Sequence, residues 1–149
     1  MRMYYNEGYI ASPLNASSDN KIRRNMRRAK KYEKALNQIT GTRNKAVHGY
    51  LPNILDDHIT LERDLALQIG LQILNMSDAI ILCSNKISDG MMAELKKAIE
   101  MNIRIFIFIG PISYFKLINR FRMFTGKIVF KEISDKVEIN NILKRRRIY

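Results

Sequence analysis

A buried strand that runs through a short polar loop into a helix is the feature that most constrains the fold of this chain. Residues 78–83 predict the strand, because a nearly continuous apolar run is typical of a parallel strand covered on both faces. Ser88, Asp89 and Gly90 predict the helix N-terminus, with Glu94 about one turn further along. The unpaired N–H groups at such an N-terminus favour an anionic ligand. The segment therefore predicts an α/β fold with a ligand site after this strand.

The other periodic segments extend this unit into an alternating chain. Apolar patterning predicts strands over 3–11, 46–48, 78–83, 103–109 and 127–131, and helices over 20–39, 60–76, 88–101, 113–121 and 137–143. The buried stripe of the second helix is expected to comprise Leu61, Leu65, Ile69, Ile73 and Met76. We therefore expect a single domain, residues 1–149, with a three-layer Rossmann/flavodoxin-like fold. Its sheet would have about five parallel strands, with helices on both faces.

Ligands in folds of this kind bind beyond the carboxyl ends of the strands. The loops after Ala11, His48 and Cys83 are therefore expected to meet at one edge of the sheet. This rule gathers seven side chains around one crevice: Tyr9, Ser12, His48, Arg63, Ser88, Asp89 and Glu94. Glu94 lies at the margin of the apolar stripe of its helix, where partial desolvation would make a carboxylate more reactive. A boundary glutamate stabilised by the helix dipole is the alternative, and spacing alone favours it.

The charge balance points to an anionic partner. The chain has 26 Lys+Arg against 14 Asp+Glu, a net charge of +12. The first helix carries seven cations away from its apolar stripe: Arg23, Arg24, Arg27, Arg28, Lys30, Lys31 and Lys34. The chain lacks a helix-turn-helix partner and interleaved aromatic residues, so this pattern favours a solvated face over nucleic-acid binding. Binding of nucleic acid stays open as the weaker alternative.

Several classes of protein are disfavoured by composition. No apolar run approaches the roughly 20 residues of a membrane span. The N-terminus lacks the hydrophobic core of a signal peptide, and Cys83 is the single cysteine, so a cytoplasmic protein without internal disulfides is expected. His48 and His58 are the two histidines, and neither has Cys or Glu at ligand spacing. No metal site and no cofactor are predicted.

Three segments together resemble the nucleoside 2-deoxyribosyltransferase-like superfamily. They are Tyr-Ile-Ala-Ser-Pro-Leu at 9–14, Asp-Ala-Ile-Ile at 78–81 and Ser-Asp-Gly-Met-Met-Ala-Glu at 88–94 followed by Ala98. The likeness covers about residues 3 to 110. This superfamily includes 2'-deoxynucleoside 5'-phosphate N-hydrolases and small uncharacterised relatives, many from phages. The resemblance implies a small-molecule nucleotide ligand and a homodimer or larger homo-oligomer.

The resemblance also implies roles for individual residues. Glu94 would attack the anomeric carbon of a deoxyribose, and Tyr9 would orient it, as in a retaining glycosidase. Ser88, six residues before Glu94, matches the position that binds a 5'-phosphate in the phosphohydrolases. Gly90 and Met91, beside Ser88, are expected to contact substrate together with the rim residues Ser12, His48 and Arg63.

One departure separates the chain from the pattern that it resembles. The family's second acid, which assists the leaving base, lies about eight residues before the position of Asp78, where this chain has Gly70. Asp89 is the neighbouring carboxylate that could supply the proton instead. The alternative hypothesis is a binding protein that holds a nucleotide or nucleotide-derived signal without cleaving it. The excess of aromatic residues over 113–121 adds to the expectation of a subunit partner.

Overall fold

The computed structural model describes residues 5–14, 18–50, 59–110 and 129–149, which form an α/β fold with a mixed, mostly parallel sheet. The strands are β1 Glu7–Ala11, β2 Arg43–Lys45, β3 Ala79–Leu82, β4 Arg104–Ile109 and β5 Val129–Ile133. The helices of the described ranges are α1 Asp19–Thr40, α2 Thr60–Asn75, α3 Asp89–Glu100 and α4 Lys136–Arg145, with a 3₁₀ turn at Val47–Gly49. The predicted helix over 113–121 and His58 lie outside the described residues.

The sheet has the order β2-β1-β3-β4-β5, and its first four strands are parallel. The fifth strand, β5, runs antiparallel to β4, with Ile133 opposite Ile105 and Val129 opposite Ile109. The prediction of a wholly parallel sheet was therefore wrong at this edge. Strand direction depends on the connection between strands rather than on the apolar pattern, and an antiparallel edge on a parallel sheet is common. Lys131 and Glu132 on β5 are exposed, as suits an edge strand.

The second strand was predicted over 46–48 and instead occupies Arg43–Lys45, with the 3₁₀ turn following it. Its central residue, Asn44, is buried and makes several side-chain hydrogen bonds, including one from its amide to Asn37 Oδ1 at 2.9 Å. Polar side chains therefore hold this strand in place, which an apolar pattern cannot reveal. The shift places His48 just beyond the carboxyl end of β2.

The long helix α1 begins and ends where the sequence predicts. The side chain of Ser18 accepts a hydrogen bond from the backbone N–H of Lys21, and Gly41 ends the helix in a left-handed conformation with φ 67°. Of the seven cations predicted on its polar face, six are exposed. The stem of the seventh, Lys30, packs near Gly49, and its ammonium lies 4.9 Å from the ring centroid of Tyr50. The apolar stripe of α1 is buried against the sheet.

Alternate side chains of the strands contribute to two apolar clusters. Tyr9 and Ala11 of β1 belong to a cluster with residues of α3 and α4, whereas Ile10 belongs to a cluster with residues of α1. Because successive strand residues point to opposite faces, the two clusters lie on opposite faces of the sheet. Each cluster therefore combines strand residues with helix residues.

The buried face of α2 differs from the predicted one. Leu61, Leu65 and Met76 are 78%, 50% and 67% exposed, while Gly70 and Leu74 are the buried residues of this helix. The predicted stripe was therefore wrong at Leu61, Leu65 and Met76, whereas Ile73 is partly buried and packs against the core. Apolar residues occur all around α2, so periodicity could not select a face, and the close approach that Gly70 permits selects it instead. No helix in the described ranges has both the length and the apolar character needed to cross a membrane.

Candidate functional site

The structure brings Tyr9, His48 and Glu94 together, although they lie far apart in sequence. Tyr9 comes from β1, His48 from the 3₁₀ turn after β2, and Glu94 from the second turn of α3. The Tyr9 hydroxyl donates a hydrogen bond to Glu94 Oε2, and His48 Nε2 lies 3.3 Å from the same oxygen. Glu94 is 1% exposed. It is therefore a buried carboxylate, not the boundary residue that spacing alone favoured.

The electrostatics of this cluster keep Tyr9 protonated. Burial raises the pKa of the Tyr9 hydroxyl well above its ordinary value, and the charge and hydrogen bond of Glu94 raise it further. Tyr9 therefore serves as a permanent donor to Oε2. The other carboxylate oxygen, Glu94 Oε1, is buried and has no hydrogen-bond partner among the described residues. An unsatisfied buried oxygen is rare in proteins and frequently marks a functional group.

Helix α2 passes close to this cluster at Gly70. A Cβ built on Gly70 would lie 2.9 Å from the Tyr9 hydroxyl oxygen and 3.9 Å from Glu94 Oε2. Because Tyr9 is fully buried, its ring has little freedom to move away from such a carbon. Gly70, where the resemblance expects an acid, thus brings its backbone close to Tyr9, the residue that bonds to Glu94.

The N-terminus of α3 forms an adjoining polar region. Ser88 caps the helix, and its hydroxyl accepts a hydrogen bond from the backbone N–H of Met91 at 3.3 Å. A Cβ added at Gly90 would meet no atom within 4 Å, so the space beside this turn is open. Met91 is fully buried and packs in the core, although it also lines the cavity described next.

A cavity of about 800 Å³ opens at this end of the sheet. Its lining includes seven of the nine predicted site residues: Ser12, His48, Arg63, Ser88, Asp89, Gly90 and Met91. Tyr9 and Glu94 are not lining residues and lie buried next to His48. The Ser12 hydroxyl is buried and lacks a hydrogen-bond partner in the described part of the chain. The volume falls within the range of about 300–1,000 Å³ that is usual for small-molecule sites.

Asp89 lies at the rim of the cavity and pairs with a residue that the sequence did not link to it. Its carboxylate accepts a hydrogen bond from Arg146, and this contact lowers the pKa of the Asp89 carboxyl below its ordinary value. The Asp89 side chain is also highly exposed. An ionised, solvated carboxylate is poorly suited to donate a proton, which was the role considered for it.

Sequence reasoning missed four cationic residues of the cavity, namely Lys86 and Arg145 to Arg147. Residues 146–149 run back along the loop after β3, where the N–H of Ile87 donates to the carbonyl of Arg146 at 2.9 Å. The N–H of Ile148 donates in turn to the carbonyl of Asn85 at 2.8 Å, and the Ile148 side chain is buried. The signal in the sequence is the run of cations at 144–147, but only the fold shows where that run lies.

A family model described as "Domain of unknown function (DUF7768)" matches residues 7–108. The chain belongs to this family. The match extends from β1 into β4 and includes Tyr9, His48, Gly70 and Glu94, whereas β5, α4 and the arginine run lie outside it. No curated protein and no solved structure matched the chain. Among the described residues, no group of three or more His, Cys, Asp and Glu could hold a metal ion.

Proposed function

We propose that this DUF7768 protein is a nucleotide-directed N-glycosidase or deoxyribosyltransferase-like enzyme that acts on a 5'-phosphorylated (deoxy)nucleotide. The observation that carries the proposal is the state of Glu94. One of its carboxylate oxygens is held by Tyr9 and contacts His48, while the other is buried and has no partner in the described part of the chain. A carboxylate restrained at one oxygen and free at the other is arranged as a nucleophile.

In the proposed reaction, Glu94 Oε1 attacks the anomeric carbon of the nucleotide sugar. The bond from that carbon to the base breaks, its electron pair leaves with the base, and a glycosyl ester forms on Glu94. Water then attacks the same carbon and releases the sugar phosphate, or a second base attacks and forms a new nucleoside bond. Two displacements at one carbon give net retention of configuration, as in retaining glycosidases.

Proton transfer to the leaving base falls to His48 in this proposal. Gly70 has no side chain, and Asp89 is ionised by its contact with Arg146, so neither supports that role. His48 lines the cavity and lies next to Glu94. A protonated His48 would give its proton to the departing base and recover one from the attacking water, which is the usual duty of a general acid and base.

The N-terminal turn of α3 is the proposed site of the 5'-phosphate. Ser88 and Gly90 lie at this turn, and Arg63 from α2 lines the same cavity. A helix N-terminus and a nearby guanidinium both favour a phosphate group. Ser12, whose buried hydroxyl has no partner among the described residues, would contact the sugar or the phosphate.

The finer features of the fold and assembly belong to the same proposal. The strand order and the two apolar clusters support a three-layer, flavodoxin-like arrangement of residues 1–149 as one domain. The proposed homo-oligomer follows from the resemblance, and the proposed cytoplasmic location follows from the composition. The aromatic-rich segment that motivates a subunit contact, 113–121, lies outside the described residues.

A second candidate function is binding of a nucleotide without cleavage. It is favoured by one observation: Glu94 is 1% exposed and does not line the cavity, so a ligand in the cavity does not reach it without rearrangement. The exposed cations of α1 support a third and weaker candidate, nucleic-acid binding. Neutralising Arg23 and Arg27 would then reduce retention of the protein on DNA at low salt.

Release of free base from a panel of nucleotides, followed by chromatography, separates the first two functions. We expect base release by the wild type and its loss in Glu94→Gln, which keeps the shape of the side chain. Glu100→Gln is the matched control, since Glu100 lies on the same helix and is exposed. Base release by Glu94→Gln at the wild-type rate contradicts the assignment of the nucleophile. Recovery of intact ligand from both the wild type and Glu94→Gln would support binding without cleavage.

A further inference from the structure

The cavity has more positive charge than a single phosphate requires. Among the residues that the structure describes, five cationic side chains line it, Arg63, Lys86, Arg145, Arg146 and Arg147, together with two acidic ones, Asp64 and Asp89. The net charge of this described lining is +3. A phosphate monoester carries only about −1.5 to −2 at neutral pH. Clustered like charges destabilise a fold through mutual repulsion, and an anionic ligand with several charges would offset that cost.

The backbone of Arg145 to Arg147 follows a defined path along the cavity. Arg146 ends α4 in the left-handed conformation, with φ 56°, where glycine or asparagine is usual. This reversal sends residues 147–149 back along 85–87, so that Arg147 forms a backbone bridge with Lys86. Arg145 stabilises the reversal, since its guanidinium donates to the carbonyls of Arg147 at 3.3 Å and Ile148 at 2.7 Å.

Of the four cations Lys86 and Arg145 to Arg147, two bond to other groups of the protein and two remain available to a ligand. Arg146 pairs with Asp89, and Arg145 bonds the backbone of its own segment. Lys86 and Arg147 have no side-chain hydrogen bond or ion pair within the described ranges, and both line the cavity. Lys86 lies in the loop that leads into Ser88, where the first phosphate is proposed to bind, and Arg147 forms a backbone bridge with Lys86. A chain of phosphates that starts at Ser88 would therefore extend toward Lys86 and Arg147.

The unpartnered hydroxyl of Ser12 is an independent sign that this cavity receives a polar ligand. Its Oγ is buried, the residue is 3% exposed, and the side chain lines the same cavity. A buried hydroxyl usually satisfies its hydrogen-bonding capacity within the protein or through a bound molecule. Neither the charge cluster nor this hydroxyl depends on whether the ligand is cleaved.

We propose that Lys86 and Arg147 form a second phosphate subsite, so that the cavity prefers a nucleotide with two or three consecutive 5'-phosphates over a monophosphate. This inference rests on the proposed function only in placing the nucleotide itself in the cavity. A guanidinium and an ammonium at the outer end suit a phosphate chain, because each added phosphate brings charge that they neutralise. The segment that carries Arg147 lies outside the family match, so this preference belongs to this chain's own residues.

Titration calorimetry with defined probes tests the subsite. The probes are inorganic tripolyphosphate, the 5'-mono-, di- and triphosphates of one nucleoside, and a 5'-phosphorylated oligonucleotide. We expect wild-type affinity to rise about tenfold with each added phosphate, as one charge-assisted hydrogen bond would produce. Tripolyphosphate alone is expected to bind and to compete with the triphosphate.

The double variant Lys86→Gln with Arg147→Gln is expected to lose at least about tenfold in triphosphate affinity while binding the monophosphate nearly as the wild type does. Arg27→Gln with Lys31→Gln is the matched control, since it removes the same two charges from the exposed face of α1. Both pairs are on the surface, so both variants are expected to fold. Three outcomes would each overturn the subsite. The first is equal affinity of the wild type for mono- and triphosphate. The others are equal losses of triphosphate affinity in the two double variants, and tighter binding of the oligonucleotide than of the triphosphate.

Base release measured on the same preparations distinguishes failure of this inference from failure of the proposed function. Glu94-dependent base release without a preference for longer phosphate chains contradicts only the second subsite. Tight, variant-sensitive binding of triphosphate without base release from any nucleotide supports the subsite and contradicts the proposed catalysis.

Discussion

The backbone of Gly70 lies directly against the hydroxyl group of Tyr9, so that a Cβ at position 70 would be 2.9 Å from that oxygen. The same hydroxyl donates to Glu94, the buried carboxylate of the candidate site. Close packing of α2 on this pair thus sets the position of the proposed nucleophile. The contact also explains why a residue with a side chain is disfavoured at position 70.

In Gly70→Ala the new methyl group is expected to displace Tyr9 in a packed core, at a cost of about 1–3 kcal/mol. The gain in helix propensity, about 1 kcal/mol, offsets part of this cost, so we expect a net loss of up to about 2 kcal/mol. Urea denaturation measures the difference. Gly90→Ala is the control, since the space beside Gly90 is open, and the same gain in helix propensity should raise its stability by up to about 1 kcal/mol. A Gly70→Ala protein more stable than the wild type would show that this packing is not tight.

The raised pKa of Tyr9 predicts how stability changes at alkaline pH. The folded state holds this proton more tightly than the unfolded state, so the contribution of Tyr9 is complete below pH about 10 and declines as pH rises beyond it. Burial also raises the pKa of Tyr32, to about 12, so the wild type loses stability from more than one tyrosine. Tyr9→Phe should therefore lose less stability than the wild type between pH about 9 and about 11. Parallel stability curves for the two proteins would contradict the assignment.

Two leucines of α2 should respond very differently to truncation. Leu74→Ala removes a fully buried side chain and is expected to cost about 2–5 kcal/mol, whereas Leu61, 78% exposed, should tolerate the same change within about 0.5 kcal/mol. Denaturant midpoints of the two variants test which face of α2 is buried. Equal losses would contradict the burial of Leu74, and a larger loss at Leu61 would favour the stripe that periodicity predicted.

The ion pair between Asp89 and Arg146 should be visible by titration. Arg146 lowers the pKa of the Asp89 carboxyl, so Arg146→Gln is expected to return that pKa toward its ordinary value. Carboxyl chemical shifts followed by NMR against pH measure it directly. Lys144→Gln, a neighbouring exposed cation, should leave the titration of Asp89 in place. No change in Arg146→Gln would mean that the pair does not persist in solution.

Hydrophobic periodicity predicted most of the strands and helices, because most of them bury apolar side chains at regular spacing. The helix ends depend on residues within a few positions, namely the caps Ser18 and Ser88 and the terminator Gly41. Such local signals can be recognised from one sequence. The rule that parallel strands share a carboxyl edge gathered seven side chains, and five of them line one cavity: Ser12, His48, Arg63, Ser88 and Asp89. The polar strand β2 escaped prediction, because buried hydrogen bonds of Asn44 rather than apolar side chains hold it.

Sequence alone determined that this chain alternates strands and helices and that a helix N-terminus with Ser88 and Glu94 follows a buried strand. Only the tertiary structure decided that Glu94 is buried and bonded to Tyr9, and that Arg146 and Arg147 complete the cavity from the far end of the chain. Local patterns depend on neighbours within a few residues. The burial and pairing of a charge depend on which distant segments pack around it, and that is decided when the whole chain folds.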